Sequence, residues 1–409
     1  MSFQRSGGSR FSRQGTRPGQ SHGGRRFGAN RFGCNSFSRG RHALKNLDVS
    51  RLINKAVPTV HAEFEPKHTF QDFALSDILK ANIARKGYKK PTPIQDQAII
   101  HLLQVRDIVG IADTGTGKTA AFLLLLINKV SVARHERVLI MAPTRELALQ
   151  IFEEFGGFSF GLNIQAALIV GGLGMGSQIR TLKRNPHFII ATPGRLKDMA
   201  KRRLINLAQF HTVVLDEADR MVDMGFIHDI KFLLSLLPKI RHSAFFSATI
   251  PESIHELIQQ FLRDPITVSV KSRDTSSNVD QNIIRISGKS KIEVLAEMLK
   301  DPEFSKVLVF GRTKHGVEKL SKMLAMKGFK VASIHGNKTQ SSRQKALILF
   351  KKSIVQVLVA TDVAARGLDI YGVSHVINYD MPATYEDYIH RIGRTGRADK
   401  IGKALTFVE

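Results

Sequence analysis

From residue 70 onward the chain alternates short, almost wholly apolar runs with longer stretches of helical periodicity. The first series is "DIVGIA" from 107, "RVLIMAPT" from 137, "QAALIVGG" from 165, "FIIATP" from 188, "TVVLDEAD" from 212 and "SAFFSAT" from 243. Runs that are apolar at nearly every position, rather than at alternate ones, predict parallel strands covered by helices on both faces. A second series has the same character: "KVLVF" from 306, "KVASIHG" from 330, "VQVLVATD" from 355, "SHVINYD" from 374 and "ALTFV" from 404. Between the two series, "VKSRDTSSNVDQN" (270–282) is polar and reads as an interdomain hinge. The pattern predicts an α/β protein with two parallel-sheet domains, 70–272 and 283–409, joined by a linker over 273–282. Residues 43–69 read as a connecting segment, with a short helix at "LDVSRLINKA".

Each run of the first series ends in small, polar or charged residues, and the carboxyl ends of parallel strands are where such sheets carry ligands. After "DIVGI" comes "ADTGTGKT" (112–119) and then a long apolar helical stretch. Thr114, Gly115, Thr116 and Gly117 supply a flexible loop whose amides can curl around phosphate oxygens. Lys118 is placed to neutralise β and γ phosphates, and Thr119 offers a hydroxyl to Mg²⁺. Four runs further on, "TVVLDEADRM" (212–221) sets Asp216, Glu217 and Asp219 within four positions. Asp216 is the expected Mg²⁺ ligand, and Glu217 is placed to orient or deprotonate an attacking water. Asp219 is assigned to the neighbouring strand end, Ser247 and Thr249. Acids at a helix N-terminus are common in any case, but that explanation covers one or two of them and not their coincidence with a phosphate loop.

Charge narrows the class of partner. The chain carries 61 Lys and Arg against 35 Asp and Glu, a formal charge of +26, which points to a polyanion such as nucleic acid. Residues 1–42 contain nine Arg, nine Gly, five Phe and no acid. A segment of that composition is expected to be disordered, and to bind single strands loosely through phosphate pairing and stacking, or to act as a solubilising linker. Removing its +9 still leaves +17 on the remainder. Cys34 is the only cysteine, so no intrachain disulfide forms, as suits a reducing compartment. The longest apolar run, "AAFLLLLI" (120–127), falls far short of the roughly 18 residues a membrane span needs. With no apolar secretory segment at the N-terminus, the expectation is a cytoplasmic protein.

These segments together resemble the DEAD-box RNA helicases. "ADTGTGKT", "DEAD" (216) and "SAT" (247) are joined, in the family's order, by "GYKKPTPIQ" (87), "PTRELALQ" (143), "GG" (171), "TPGR" (192), "ATDVAARGLDI" (360) and "HRIGRTGR" (390). The resemblance covers residues 70–409 and implies tandem RecA-like domains that close on ATP and RNA together. It implies that Tyr88 stacks on adenine, that Gln95 reads the adenine edge, and that Phe70 is the upstream aromatic of the site. Arg394 and Arg397 match arginine fingers, although a basic helix turn binding RNA phosphates fits the same residues. His390, Arg391 and Arg366 match interdomain bridges, and Asp369 the ribose contact. Expected RNA contacts are Thr144, Arg145, Gly171, Gly172, Thr192 and Arg195 on the first domain, with Arg312, Gln340, Arg343 and Thr361 on the second. The implied activity is an RNA-dependent ATPase that unwinds short duplexes locally or remodels RNA–protein complexes, using ATP and Mg²⁺. The expected state is a monomer with weak RNA sequence preference and ribonucleoprotein partners. Two other readings stay open at this stage: a DNA-acting helicase of the same superfamily, and a non-catalytic RNA clamp or condensate scaffold.

Overall fold

The computed structural model describes residues 52–56, 64–103, 106–113, 115–270, 278–286, 288, 290–365, 370–396 and 401–408. The tail 1–42, the middle of the polar hinge, Thr114, Arg366, Asp369 and Arg397 lie outside the described residues.

The first series of apolar runs forms β1 (Ile108–Ile111), β2 (Val138–Met141), β3 (Ala166–Ile169), β4 (Phe188–Ala191), β5 (Thr212–Leu215) and β6 (His242–Ser247), joined by β7 (Ile266–Ser269). They make one seven-stranded parallel sheet in the order β3-β4-β2-β5-β6-β1-β7. The second lobe holds β8 (Val279–Arg285), β9 (Val307–Phe310), β10 (Val331–Ile334), β11 (Val357–Ala360), β12 (His375–Asn378) and β13 (Gly402–Val408). Its six-stranded parallel sheet runs β10-β11-β9-β12-β13-β8. These are the two expected RecA-like α/β sheets.

The continuous apolar runs follow from burial on both faces. Along β2, Val138 and Ile140 enter one hydrophobic cluster while Leu139 and Met141 enter another on the opposite side. Val307 and Val309 of β9 are likewise parted from Leu308 and Phe310. Successive side chains point to opposite faces of a strand, so a sheet with two covers needs every position apolar.

Two strands were not visible in that pattern, and both lie at sheet edges. In β7 only Val268 is buried. β8 begins inside the polar stretch read as a linker, so residues 279–282 belong to the second sheet; Val279 pairs with Gly402 and the register continues to Arg285 with Val408. Polar residues fit there because this edge is covered by residues 52–56 of the connecting segment. Asn54 and Gln281 exchange backbone hydrogen bonds of 3.0 and 2.7 Å, and Ala56 N–H donates to Asp280 Oδ1 at 2.8 Å. Of the helix expected over 47–56, the described end keeps only Leu52 in a helical turn; Asn54 instead bridges antiparallel to Gln281. A covered edge strand also cannot recruit another chain. Leu52 is fully buried, packed with Val279, Tyr388, Ile392 and Ala404.

Leu52→Ala is expected to lower the stability of the second lobe by about 2–5 kcal/mol. Hydrogen exchange should accelerate at β8 and β13 and stay unchanged in the first sheet; full protection of β8 in that variant would show that the strap is dispensable to the lobe.

Candidate active site

The carboxyl ends of β1, β6 and β5 are neighbours in the first sheet, and the chain chemistry converges there. β1 runs into the phosphate loop, where Gly115 and Gly117 take φ of 86° and 95°. Gly117 precedes the helix Lys118–Val132. A Cβ at Gly117 would come within 2.6 Å of Gln95 Nε2, so only glycine admits the loop this close to the helix Pro93–Leu103. Thr116 Oγ1 donates to Asp113 O at 2.8 Å and Lys118 Nζ to Ala112 O at 2.6 Å, which folds the lysine over its own loop. Thr119 is half-buried one position further on.

The three acids at the end of β5 are each handled differently. Asp219 Oδ2 accepts from Ala248 N–H, Thr249 N–H and Thr249 Oγ1 at 3.0, 2.9 and 3.1 Å. Ser247 Oγ accepts from Asp219 N–H at 3.2 Å and donates to Thr249 O at 2.7 Å, so Asp219, Ser247 and Thr249 form one bonded unit. Glu217 has left-handed backbone angles, φ 54° and ψ 53°, and its Oε2 accepts from Arg220 Nη1 at 2.8 Å. Asp216 is buried with its Oδ1 lacking a hydrogen-bond partner. Burial pushes its carboxyl up to about 6, against the pull of Lys118.

The residues expected to face adenine are packed around the phosphate loop. Gln95 is fully buried: its Oε1 accepts from Thr92 N–H at 3.0 Å and its Nε2 donates to Gly117 O at 3.1 Å. It ties the phosphate loop to the following helix and presents no edge to solvent. Phe70 is a core residue, edge-on to Phe73 and to Tyr88 at 6.2 Å each. It supports Tyr88 from inside, while Tyr88 itself is half-buried and tilted against Phe158 at 5.6 Å. Asp96 was not foreseen: it accepts from Lys67 and His68 N–H at 3.0 and 3.2 Å and contacts His68 Nδ1 at 2.8 Å, anchoring the segment that carries Phe70. An acid directly after the motif glutamine is the only signal the sequence offers for it.

Three loops of the first lobe lock together. Thr144 caps the helix Arg145–Phe158, accepting from Leu147 N–H at 3.2 Å. The Arg145 guanidinium lies so close to Gly171 and Gly172 that a Cβ on Gly172, whose φ is 78°, would overlap it. Arg195 Nη1 donates to Leu173 O at 3.3 Å. Thr192 is buried at the start of the helix Pro193–Lys201.

On the second lobe, Arg343 and Gln340 both meet Glu146 of the first. Arg343 Nη2 lies 2.9 Å from Glu146 Oε1, and Gln340 Nε2 donates to the same oxygen at 3.1 Å, a contact that crosses between the lobes. Thr361 is half-buried, its N–H on Ile334 O, and Arg312 is exposed with its own N–H on Asp380 Oδ2 at 2.8 Å. Arg391 does not bridge the lobes. Its Nε and Nη2 hold Asp362 at 2.5 and 2.8 Å, and Nη1 donates to Asn378 Oδ1 and Asp380 O, all within the second lobe. Phe310, Asp362, Asp387, His390, Arg391 and Arg394 line a small cavity beside it, and Arg394 is buried with its Nε on His390 O at 3.3 Å.

Comparison with known proteins agrees with this geometry. Residues 92–257 match the DEAD/DEAH box helicase family and residues 290–399 the helicase conserved C-terminal domain. The chain is 46% identical over 344 residues to the DEAD-box ATP-dependent RNA helicase CshA of Bacillus licheniformis, covering 83% of this chain and 70% of that one. The Bacillus subtilis protein of the same name is also 46% identical, with 83% and 69% covered. The chain thus spans about two-thirds of the length of these curated relatives. Among solved structures, Saccharomyces cerevisiae Dbp5 bound to RNA and ADP BeF3 superposes with a TM-score of 0.72 at 30% identity, over 83% of this chain and 89% of that one. Among the described residues no helix is long and apolar enough to cross a membrane. With its phosphate loop, its acid cluster and both lobes matched, the chain belongs to the DEAD-box ATP-dependent RNA helicases.

Proposed function

We propose that the chain hydrolyses ATP in the cleft between its lobes when RNA is bound, and uses lobe closure to separate short RNA duplexes locally or to remodel RNA–protein complexes. The observation that carries this reading is the meeting of the phosphate loop and the acid cluster at the carboxyl ends of neighbouring interior strands, with Lys118 acting on a buried Asp216. Mg²⁺ is part of it, with Thr119 and Asp216 as the residues to hold it. They fit: Asp216 offers a buried, unbonded oxygen. When bound, the ion neutralises phosphate charge.

The chain's own residues do the rest. Lys118, released from Ala112 O, pairs with the β and γ phosphates. Glu217 takes the proton of the water whose oxygen attacks the γ phosphorus, as the bond to the β-phosphate oxygen breaks and ADP leaves. Arg394 and Arg397 stabilise the charge on the transferred phosphoryl, a contribution of about 10³- to 10⁵-fold in other arginine-finger enzymes. Arg366 and Asp369 are carried by family position alone, toward lobe coupling and the ribose. RNA passes over the loops holding Thr144, Arg145, Gly171, Gly172, Thr192 and Arg195, and over Thr361. Backbone contacts of this kind position a strand without reading its bases. ATP and RNA each favour the closed lobes, so each tightens the other's binding. The acid-free tail adds loose affinity for single strands, and the working form is a cytoplasmic monomer met by ribonucleoprotein partners.

Glu217→Gln is expected to cut RNA-stimulated ATPase by about 10²- to 10⁴-fold with ATP and RNA binding within a few-fold of wild type; steady-state turnover with fluorescence anisotropy measures both, and full turnover would remove Glu217 from the chemistry. Arg343→Ala strips a partner from the buried cross-lobe pair. ATP-dependent RNA affinity should fall on the order of 10- to 100-fold, with ATP affinity in the absence of RNA unchanged. Matched RNA and DNA strands at one stated salt concentration should differ in stimulating the ATPase, RNA being the activator; equal stimulation would favour the broader nucleic-acid reading.

A further inference from the structure

The cation that meets Glu217 is written in the sequence one residue past the "DEAD" run. Arg220 lies in the short helix Ala218–Asp223, one turn after Glu217, which stands at the N-cap of that helix with no capping hydrogen bond from its side chain. Both partners are withdrawn from water, the side chains of Arg220 and Glu217 being 4% and 6% exposed, and Nη1 meets Oε2 at 2.8 Å. The left-handed backbone at Glu217 is an uncommon state for a residue with a side chain, and such strain persists where the surroundings enforce it. The backbone of Arg220 is fixed as well, its N–H donating to Asp219 Oδ1 at 2.9 Å. Asp219 is tied in turn to Ala248 and Thr249. The guanidinium is thus referenced to the end of β6 and Glu217 is referenced to the guanidinium.

We propose that Arg220 is a positioning residue for hydrolysis, holding one oxygen of the Glu217 carboxylate so that the other, Oε1, faces the attacking water. The inference rests on Glu217 as acceptor of that water's proton. A glutamate side chain has three rotatable bonds, and in this cluster it is also repelled by Asp216 and Asp219. Left without a partner it would turn away from its neighbours, and a misplacement of about 1 Å at a reacting group can cost on the order of 10²-fold in rate. Arg220 removes that freedom with one charge-assisted bond. Among the described residues the one side-chain bond of Arg220 is to Glu217, and its charge also favours the ionised form of Asp216, so the comparison with Glu217→Gln separates the two effects.

The test compares Arg220→Met, Arg220→Gln and Arg220→Lys in the full chain, each alone and combined with Glu217→Gln, with melting temperature recorded for every variant. Arg220→Met should lower RNA-stimulated kcat by about 10- to 100-fold, with KM for ATP and ATP-dependent RNA affinity within about threefold. Arg220→Lys, which keeps a charge but not the fork, should restore most of that loss. In the Glu217→Gln background, where single-turnover assays resolve the residual rate, Arg220→Met should add less than about twofold, because there is no carboxylate left to aim. Should the Met variant not fold, Arg220→Gln carries the same comparison. A kcat within twofold of wild type for either neutral variant overturns the proposal, as does a loss undiminished in the Glu217→Gln background or matched by an equal rise in KM. Full turnover by Glu217→Gln alone would instead sink the assignment of Glu217, an outcome read independently of Arg220.

Discussion

Asp216, Glu217 and Asp219 are 2%, 4% and 5% exposed, and a carboxylate so far from water must be protonated, bonded or paired. The rest of the site follows from how each is satisfied. Asp219 takes three donors from the end of β6, which converts a buried charge into a rivet between two neighbouring strands. Glu217 takes a guanidinium. Asp216 takes neither at Oδ1, and its carboxyl is pushed up to about 6 by burial. Of the three, it is the one whose environment still calls for positive charge. A site that fully compensated all three acids would have no affinity left for a cation-bearing ligand.

The phosphate loop is built at the end of a nearby strand by a complementary logic. Its glycines bring backbone amides close together, and the helix Lys118–Val132 adds its N-terminal dipole. Gln95 holds that loop from behind, and Phe70 and Asp96 hold the elements around Gln95 and Tyr88. Gln95, Phe70 and Asp96 thus brace the loop and the Tyr88 segment from within the lobe.

How far the sequence could be read depends on what each feature required. Interior strands were plain because burial on both faces leaves no choice of residue type, as in "VLIM" and "VLVF". The edge strands β7 and β8 were hidden because one face and one side of each meet something other than sheet, so Asp280 and Gln281 are tolerated. Leu52 could not be placed at all, since its partners on β8, β13 and the helix Tyr385–Ile392 lie more than 200 residues away. At the site, the residue types were legible from the motifs, and their position at strand carboxyl ends from the apolar runs that precede them. Pairings were not: nothing in "QSSRQ" says that Arg343 faces Glu146, nothing in "HRIGR" that Arg391 turns inward to Asp362, and the role of Arg220 was overlooked although a spacing of three residues on a helix is a contact distance.

Those inward-turned arginines bear on how the lobes can work as a switch. The Glu146–Arg343 pair is nearly buried, 8% and 10% exposed, and it joins the two lobes. When the lobes part, both groups regain hydration, and the attraction lost is largely offset by the solvation recovered. Such a pair therefore selects one register of closure without holding the cleft shut. The driving force has to come from what binds there: moving a two-state equilibrium from 1:99 to 99:1 takes about 5.5 kcal/mol of differential affinity, a quantity two multiply charged ligands can supply together and withdraw when one is cleaved. On the proposed mechanism, the buried pair sets where the lobes meet, and the ligands decide whether they do.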